Sequence, residues 1–190
     1  MELVSIPSHF GSRFENDVCS GSVSEKGRLL LGQNGGSVMW HRLKNKSFCV
    51  VRDGHLQTAF VEWFPSGVVA LSGGSEGLLK VWDCEEDNED DEEPIVAAAV
   101  LSGGHRKAVL CAAVIGRGRT LVSGGRDGLV LWEVPSQKAV RHWQEADEVL
   151  CVLTGENDCE LVVCGGNKGK ASVRSGLFDC SCSKKGRKGV

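Results

Sequence analysis

The chain has 190 residues, of which 41% are hydrophobic and 25% are charged, and its formal net charge is -3. This length allows one domain or two small ones, and the weak negative charge excludes the overall basic surface typical of nucleic-acid-binding proteins. No apolar run reaches the roughly 18 residues that a membrane-spanning helix needs. The N-terminus has no basic segment followed by an apolar one, so we expect no secretory signal.

An internal repeat with a period near 41 residues organises the chain. The segment 72–83, SGGSEGLLKVWD, recurs as SGGRDGLVLWE at 123–133, and weaker copies occupy 32–40 and 164–173. The two strong copies share a second mark, because a Gly-His pair precedes each tryptophan, with its histidine 27 residues upstream. Short apolar runs between glycine-rich turns predict strands, and no segment has the period of an amphipathic helix.

Four repeat units follow one another; they span about 14–52, 53–103, 104–143 and 144–175. The first unit has turn glycines and Trp40 but no clear Gly-His pair. The second is interrupted at 85–93, where eight of nine residues are acidic. We interpret this acidic run as a solvated loop inserted into an otherwise regular period.

The third unit predicts strands over Val109–Val114, Thr120–Ser123, Leu129–Glu133 and Lys138–Trp143, with a tight turn at Gly124–Gly128. It is one residue shorter than the second unit between its acid and its tryptophan.

The fourth unit has Ala146 near the histidine position, Lys168 at the acidic position and Val173 in place of the tryptophan. The basic tail at 176–190 matches no strand, and we expect it to be disordered. It has the composition of a nuclear signal; an end produced by truncation or by an altered reading frame explains it equally well.

These features resemble the WD-repeat β-propellers. The resemblance implies an all-β fold in which each unit forms a four-stranded blade. It also implies a hydrogen-bonded tetrad of His, Ser, acid and Trp within a blade, which gives a buried imidazole and a buried indole N–H their partners. The tetrad positions are His105, Ser123, Asp127 and Trp132 in the third unit, and His55, Ser72, Glu76 and Trp82 in the second.

Four units are fewer than a seven-bladed WD propeller requires, since seven blades need roughly 300 residues at this period. An open arc would expose apolar faces and unpaired edges on its end blades. We therefore favour a fragment of a seven-bladed ring. A partial propeller completed by oligomerisation or by a partner, and a small strained ring, are the alternatives.

The two central units are similar, more narrowly, to the proteasomal ATPase-associated factors, a WD-repeat family. The similar stretches are 55–56, 64–74 and 79–82 in the second unit and 104–105, 118–119, 122–123, 126–128 and 131–132 in the third. This similarity implies a non-catalytic assembly chaperone that binds ATPase subunits of the proteasome regulatory particle and restrains their docking on the core particle.

Three alternative functions follow from the same residues. The first two are other WD-repeat scaffolds, namely a ubiquitin-ligase substrate receptor and a ribonucleoprotein component. A small hydrolase is the third, because His105, Ser123 and Asp127 are the ingredients of a catalytic triad. We favour the tetrad interpretation over the hydrolase, since no oxyanion-hole motif accompanies these residues.

The resemblance also implies where a partner would bind, because in WD propellers the Gly-His loops and the turns after the tetrad serines share one face. The candidate contacts there are Arg106, Lys107, Arg126 and Glu76, and the acidic run would emerge on the opposite face. We expect protein partners and neither nucleic acid nor membrane, because the basic residues are dispersed. The expected location is the cytoplasm, with access to the nucleus.

Nine cysteines are scattered along the chain. In a reducing compartment we expect free thiols rather than disulfides. Cys159, Cys164, Cys180 and Cys182 invite a metal-site interpretation, but their spacing is poor for structural zinc. We therefore expect no metal and no other cofactor.

Overall fold

The computed structural model describes residues 17–36, 38–42, 48–51, 54–84, 96–145, 147–154, 162–166, 168 and 171–174. Within these ranges the regular structure is fifteen strands and one turn of 3-10 helix at Gly116–Gly118. No helix in the described part of the chain has the length and apolar character needed to cross a membrane. The predicted all-β fold is therefore confirmed, whereas the acidic run and the basic tail lie outside the described residues.

The strands form four antiparallel sheets, which we call blades 1 to 4, and each is a meander of strands consecutive in sequence. Blade 1 contains β1 (Val18–Val23), β2 (Arg28–Gln33), β3 (Val38–Arg42) and β4 (Phe48–Val51). Blade 2 contains β5 (Thr58–Trp63), β6 (Val69–Gly74), β7 (Leu79–Asp83) and β8 (Ala99–Leu101). Blade 3 contains β9 (Val109–Ile115), β10 (Thr120–Gly125), β11 (Gly128–Glu133) and β12 (Lys138–Trp143). Blade 4 contains β13 (Val149–Thr154), β14 (Val162–Gly166) and β15 (Ala171–Arg174) among the described residues.

Consecutive blades stack through apolar faces, so each hydrophobic core lies between two sheets. Blades 1 and 2 enclose Leu30, Val38, Trp63 and Trp82, among others. Blades 2 and 3 enclose Phe60, Phe64, Leu121 and Trp132, among others. Blades 3 and 4 enclose Ile115, Leu131, Val149 and Val152, among others. This one-dimensional stacking means that each blade depends on its sequence neighbours for burial.

Burial falls from the inside of a blade to its outer edge. In blade 3, β11 reads GLVLWE and buries every residue except its last, because it has a blade on both faces. The outer strand β12 reads KAVRHW and is almost wholly exposed. Its lysine and arginine suit an edge strand, where charged side chains discourage pairing with another sheet.

A turn glycine in each of three blades fits against the chain entering the next blade. Gly36, Gly77 and Gly128 all have positive φ, at 86°, 81° and 120°. A Cβ on Gly77 would lie 3.1 Å from the carbonyl oxygens of His105 and Lys107. One on Gly36 would overlap the carbonyl oxygen of His55 in the following loop, and one on Gly128 would overlap that of Trp143 at the end of β12. The turn between the second and third strands of one blade therefore packs directly on the loop that leads into the next.

The glycine of the third blade's Gly-His pair has a packing role. A Cβ on Gly104 would lie 2.5 Å from Cζ2 and 2.6 Å from Cη2 of Trp132. The indole is fully buried and cannot move aside. We expect Gly104→Ala to lower the free energy of unfolding by about 2–4 kcal/mol through this overlap, as measured by urea denaturation.

The equivalent glycine of blade 2 provides the matched control. A Cβ on Gly54 would lie 3.5 Å from Trp82 Cζ2 and 3.0 Å from the carbonyl oxygen of Gly36. Gly54→Ala should therefore cost less than Gly104→Ala. Equal losses in the two variants would contradict the packing role of Gly104.

Candidate functional site: tetrads and the face they build

A chain of buried hydrogen bonds ties blade 3 together at one end. Ser123 Oγ, on β10, lies 2.7 Å from Trp132 Nε1 and 2.7 Å from His105 Nε2. His105 Nδ1 lies 2.7 Å from Asp127 Oδ1, in the turn between β10 and β11. The second oxygen of Asp127 accepts a hydrogen bond from the backbone N–H of Arg106 at 2.6 Å. One network thus joins a loop, two strands and a turn.

The direction of each hydrogen bond follows from what each group can donate. An indole N–H only donates, so Ser123 Oγ accepts from Trp132 and can give its own proton to His105 Nε2. His105 then carries its proton on Nδ1 and donates it to Asp127. In this neutral tautomer every polar group of the tetrad has a partner, which is the condition for burying it at low cost.

Blade 2 repeats the network with a longer acid. Ser72 Oγ lies 2.8 Å from Trp82 Nε1 and 2.7 Å from His55 Nε2. His55 Nδ1 is hydrogen-bonded to Glu76 Oε1, and Glu76 Oε2 accepts from the backbone N–H of Leu56 at 3.4 Å. Glutamate therefore occupies the place of aspartate and makes the same two links.

The residue missing from the third unit shortens the turn and leaves the tryptophan in the same place. In blade 2 the turn begins after the Gly73–Leu79 pair, whereas in blade 3 pairing continues to Gly125–Gly128. Ser72 pairs with Lys80 and Ser123 pairs with Val130. Each tetrad tryptophan thus stands two residues beyond the partner of its serine, and the two indole–serine distances differ by only 0.1 Å (2.8 Å against 2.7 Å).

Burial sets the protonation of both histidines. Removal from water lowers the pKa of His105 below its ordinary value, although Asp127 opposes the shift. Burial likewise lowers the pKa of His55 against the influence of Glu76. Burial raises the pKa of Asp127, but hydrogen bonds from the Arg106 N–H and from His105 outweigh it and hold that pKa below its usual value. Neutral histidine beside ionised aspartate is the state that the hydrogen-bond directions require.

The Ser-His-Asp arrangement of blade 3 has the connectivity of a catalytic triad but not its accessibility. Ser123 is fully buried, and its oxygen is already occupied by Trp132 and His105. A nucleophile must be accessible to its substrate, and a buried hydroxyl held by two hydrogen bonds is not. These residues therefore stabilise the blade and do not form a hydrolytic site.

Blade 4 makes the corresponding loop-to-turn link with the acid on the loop and the base on the turn. Asp147, just before β13, forms an ion pair with Lys168, which lies in the turn after β14. The two are separated by 21 residues, as are His55 and Glu76. Sequence comparison assigned Ala146 to the histidine position and so missed Asp147. The available signal was the 21-residue offset from Lys168.

The tetrads also fix the loops that carry the predicted partner contacts. Arg106, Lys107 and Arg126 have exposed side chains, and the backbone N–H of Arg126 bonds to the carbonyl oxygen of Ala108 at 3.1 Å. Glu76 differs from these three, because its side chain is only 14% exposed and both of its oxygens are engaged. The geometry therefore leaves Arg106, Lys107 and Arg126 as the accessible candidates.

Comparisons with known proteins agree with this architecture. The family model "WD domain, G-beta repeat" matches residues 98–132, a segment that holds the whole tetrad of blade 3. No curated protein sequence matches the chain. The crystal structure of the computationally designed Ika4 protein is similar, with a TM-score of 0.71 and 20% sequence identity over 92% of this chain and 98% of that chain. The chain thus contains a WD repeat in a β-propeller-like fold, a combination that generally mediates protein–protein interaction without catalysis.

The shared serine can be tested by Ser123→Ala. The substitution leaves a buried indole N–H and a buried imidazole nitrogen without partners, so we expect a loss of about 2–4 kcal/mol in the free energy of unfolding. Ser136 is exposed and provides a matched control, for which alanine should cost less than about 0.5 kcal/mol. Equal costs in urea denaturation would contradict the tetrad's structural role.

The lowered histidine pKa values predict a stability that falls in mild acid. The unfolded chain takes up protons near the ordinary histidine pKa of about 6.5, whereas the folded chain resists protonation until a lower pH. Stability is therefore fully present above about pH 6.5 and declines as the pH falls below it. Urea unfolding across this window, with NMR titration of both imidazoles, measures the effect. A folded-state pKa above that of the unfolded chain would contradict it.

The reversed ion pair of blade 4 predicts a rescue by charge exchange. Lys168→Asp places a second carboxylate beside Asp147, whose side chain is only 14% exposed, and should cost about 1–2 kcal/mol, more than a fully exposed pair. The double variant Asp147→Lys with Lys168→Asp should recover most of that loss. A double variant that is less stable than Lys168→Asp in thermal or urea unfolding would show that the two side chains do not interact.

Proposed function

We propose that this chain is a non-catalytic protein-interaction scaffold whose tetrad face binds ATPase subunits of the proteasome regulatory particle. The tetrad face is defined here as the loops before β5 and β9 with the turns after β6 and β10. The observation that carries the proposal is that two buried tetrads hold these four segments in place while their outward side chains stay exposed. A rigid surface of this kind binds with little loss of conformational entropy.

Charge distribution supports binding at this face. Glu76 and Asp127 are committed to buried histidines, and Glu148 is paired with Arg126, with 3.3 Å between Oε1 and Nε. Arg106 and Lys107 keep their side chains in solvent. The exposed charged side chains of the face are therefore mainly cationic, which favours association with an acidic partner.

The choice of partner rests on the resemblance of the two central units to the proteasomal ATPase-associated factors. That resemblance includes His55 and Leu56 in the loop before β5, the Gly104-His105 pair, and residues 126–128 in the turn after β10. A chaperone of this kind would bind ATPase subunits and restrain their docking on the core particle. We propose that it acts in the cytoplasm and the nucleus.

Affinity capture tests the proposal. The full chain carrying a terminal tag is incubated with cell lysate at low and at high salt, and captured proteins are identified by mass spectrometry. Regulatory-particle ATPase subunits should be enriched, and their recovery should fall at high salt because exposed charges are screened within about 10 Å at 0.1 M salt. Direct titration of each purified ATPase subunit then measures its affinity.

Two results would contradict the proposal. A folded chain that binds none of the purified ATPase subunits would remove the proteasomal partner. Selective recovery of ubiquitin-ligase subunits instead would favour the substrate-receptor alternative. The folded state is checked in each case by the cooperative unfolding that the tetrads predict.

A further inference from the structure

The basic cluster of the tetrad face, defined as Arg106, Lys107 and Arg126, is gathered by two hydrogen bonds. Asp127 accepts from the backbone N–H of Arg106 at 2.6 Å, and Arg126 donates its backbone N–H to Ala108 at 3.1 Å. The turn and the loop are thereby held edge to edge, with three cationic side chains on adjoining backbone segments. The positioning comes from backbone groups and from Asp127, so the side chains of Arg106 and Lys107 are free to face a ligand, and Arg126 makes only an exposed ion pair with Glu148.

Blade 2 uses the same backbone links to present a different surface. Leu56 donates its backbone N–H to Glu76 as Arg106 does to Asp127, and Ser75 donates to Gln57 at 3.0 Å as Arg126 does to Ala108. Leu56 therefore stands where blade 3 has Arg106. Its side chain is 81% exposed, which makes it an apolar group with no packing role in the described part of the chain.

The apolar and basic surfaces are neighbours. The turn that contains Glu76 packs on the loop of the next blade, because a Cβ on Gly77 would come within 3.1 Å of the Lys107 carbonyl oxygen. The backbone N–H of Leu56 bonds to Glu76 in this turn, and the carbonyl oxygen of Lys107 lies against Gly77 of the same turn. An extended segment that crosses this single turn would meet Leu56 first and the basic cluster next.

The acidic groups nearest to the cluster are already engaged. Asp127 and Glu76 bond to histidines, Glu148 pairs with Arg126, and Asp147 pairs with Lys168. The Arg126–Glu148 pair is exposed on both sides, and such pairs are weak enough to be exchanged for a ligand carboxylate. Neither Arg106 nor Lys107 has a side-chain ion pair among the described residues.

We infer that the tetrad face recognises a short acidic segment of a partner protein next to an apolar side chain, with the carboxylates on Arg106, Lys107 and Arg126 and the apolar group on Leu56. This inference deepens the proposed function, since it names the chemistry of the partner's docking segment. Arginine suits the task because its planar guanidinium binds carboxylates with two parallel hydrogen bonds. The apolar contact adds selectivity that charge alone does not provide.

Fluorescence anisotropy with synthetic peptides tests the inference. The probe is a fluorescein-labelled peptide with three successive glutamates followed by leucine, flanked by glycine and serine. Comparison peptides carry glutamine for glutamate or serine for leucine. The full chain should bind the glutamate–leucine probe most tightly, and binding should weaken at least tenfold between about 25 mM and about 300 mM salt, because the contacts are exposed charges.

Matched variants separate the cluster from general charge. Arg106→Ser with Lys107→Ser removes two cations from the tetrad face, and Arg119→Ser with Lys138→Ser removes two exposed cations from the opposite end of the same blade. The first pair should weaken probe binding about five- to tenfold, and the second less than about twofold. Leu56→Ser should weaken binding of the leucine probe about threefold and leave the serine peptide unchanged.

Each contrary result overturns the inference. Absence of binding to the probe at low salt overturns it outright, as do equal losses in the two double variants. If Leu56→Ser leaves the affinity for the leucine probe unchanged, the proposed apolar contact at Leu56 is wrong. If purified ATPase subunits bind the chain and Arg106→Ser with Lys107→Ser leaves their affinity unchanged, the inference fails while the proposed function stands. If the peptide results hold and no ATPase subunit binds, the docking chemistry stands and the proposed partner fails.

Discussion

The architecture depends on one shared hydroxyl in each central blade. Ser123 and Ser72 are fully buried, and each places its oxygen between an indole N–H and an imidazole nitrogen. These donors and acceptors could not be buried singly without a cost of several kcal/mol. Joined in series they are satisfied, and the series ends on a carboxylate that also fastens the backbone of the following loop. Because the carboxylate holds this loop, the buried network also fixes the shape of the surface that the loop forms.

The surface charge follows from this internal use of acids. The tetrads draw Glu76 and Asp127 inward to the histidines, and hydrogen bonds to Asp127 hold its pKa below the usual value although burial opposes this. The side chains of Arg106, Lys107 and Arg126 bond to no buried group among the described residues and remain exposed to solvent. The tetrad face has similar numbers of acidic and basic residues, but its exposed charged side chains are mainly cationic. The turn glycines carry the arrangement from one blade to the next, because Gly77 lets the turn of blade 2 approach the loop that bears Lys107.

Comparison of blades 2, 3 and 4 shows which part of the pattern is kept. Glutamate replaces aspartate in blade 2, and a one-residue shortening in blade 3 is absorbed by the turn, so the strand register and the serine-to-tryptophan relation are kept. In blade 4 an ion pair between Asp147 and Lys168 replaces the histidine–acid link, and the acid lies on the loop instead of the turn. What recurs is a polar contact between the loop entering a blade and its second turn. The identities of the two side chains vary.

The sequence by itself determined the all-β class, the repeat and the strands of the third unit, because period, turn glycines and the Gly-His to Trp spacing are local features of the chain. It also pointed to the residues of both tetrads. Only the tertiary structure decided that Asp147 meets Lys168, that Glu76 is withdrawn from the surface and that Leu56 and Lys107 both lie against the turn of blade 2. These are contacts between segments about 20 or more residues apart or between blades, and they depend on register and on how closely one turn packs on the next loop. Side chains of the same type, such as Arg106 and Arg119, lie at opposite ends of blade 3 because of the strand order that pairing sets.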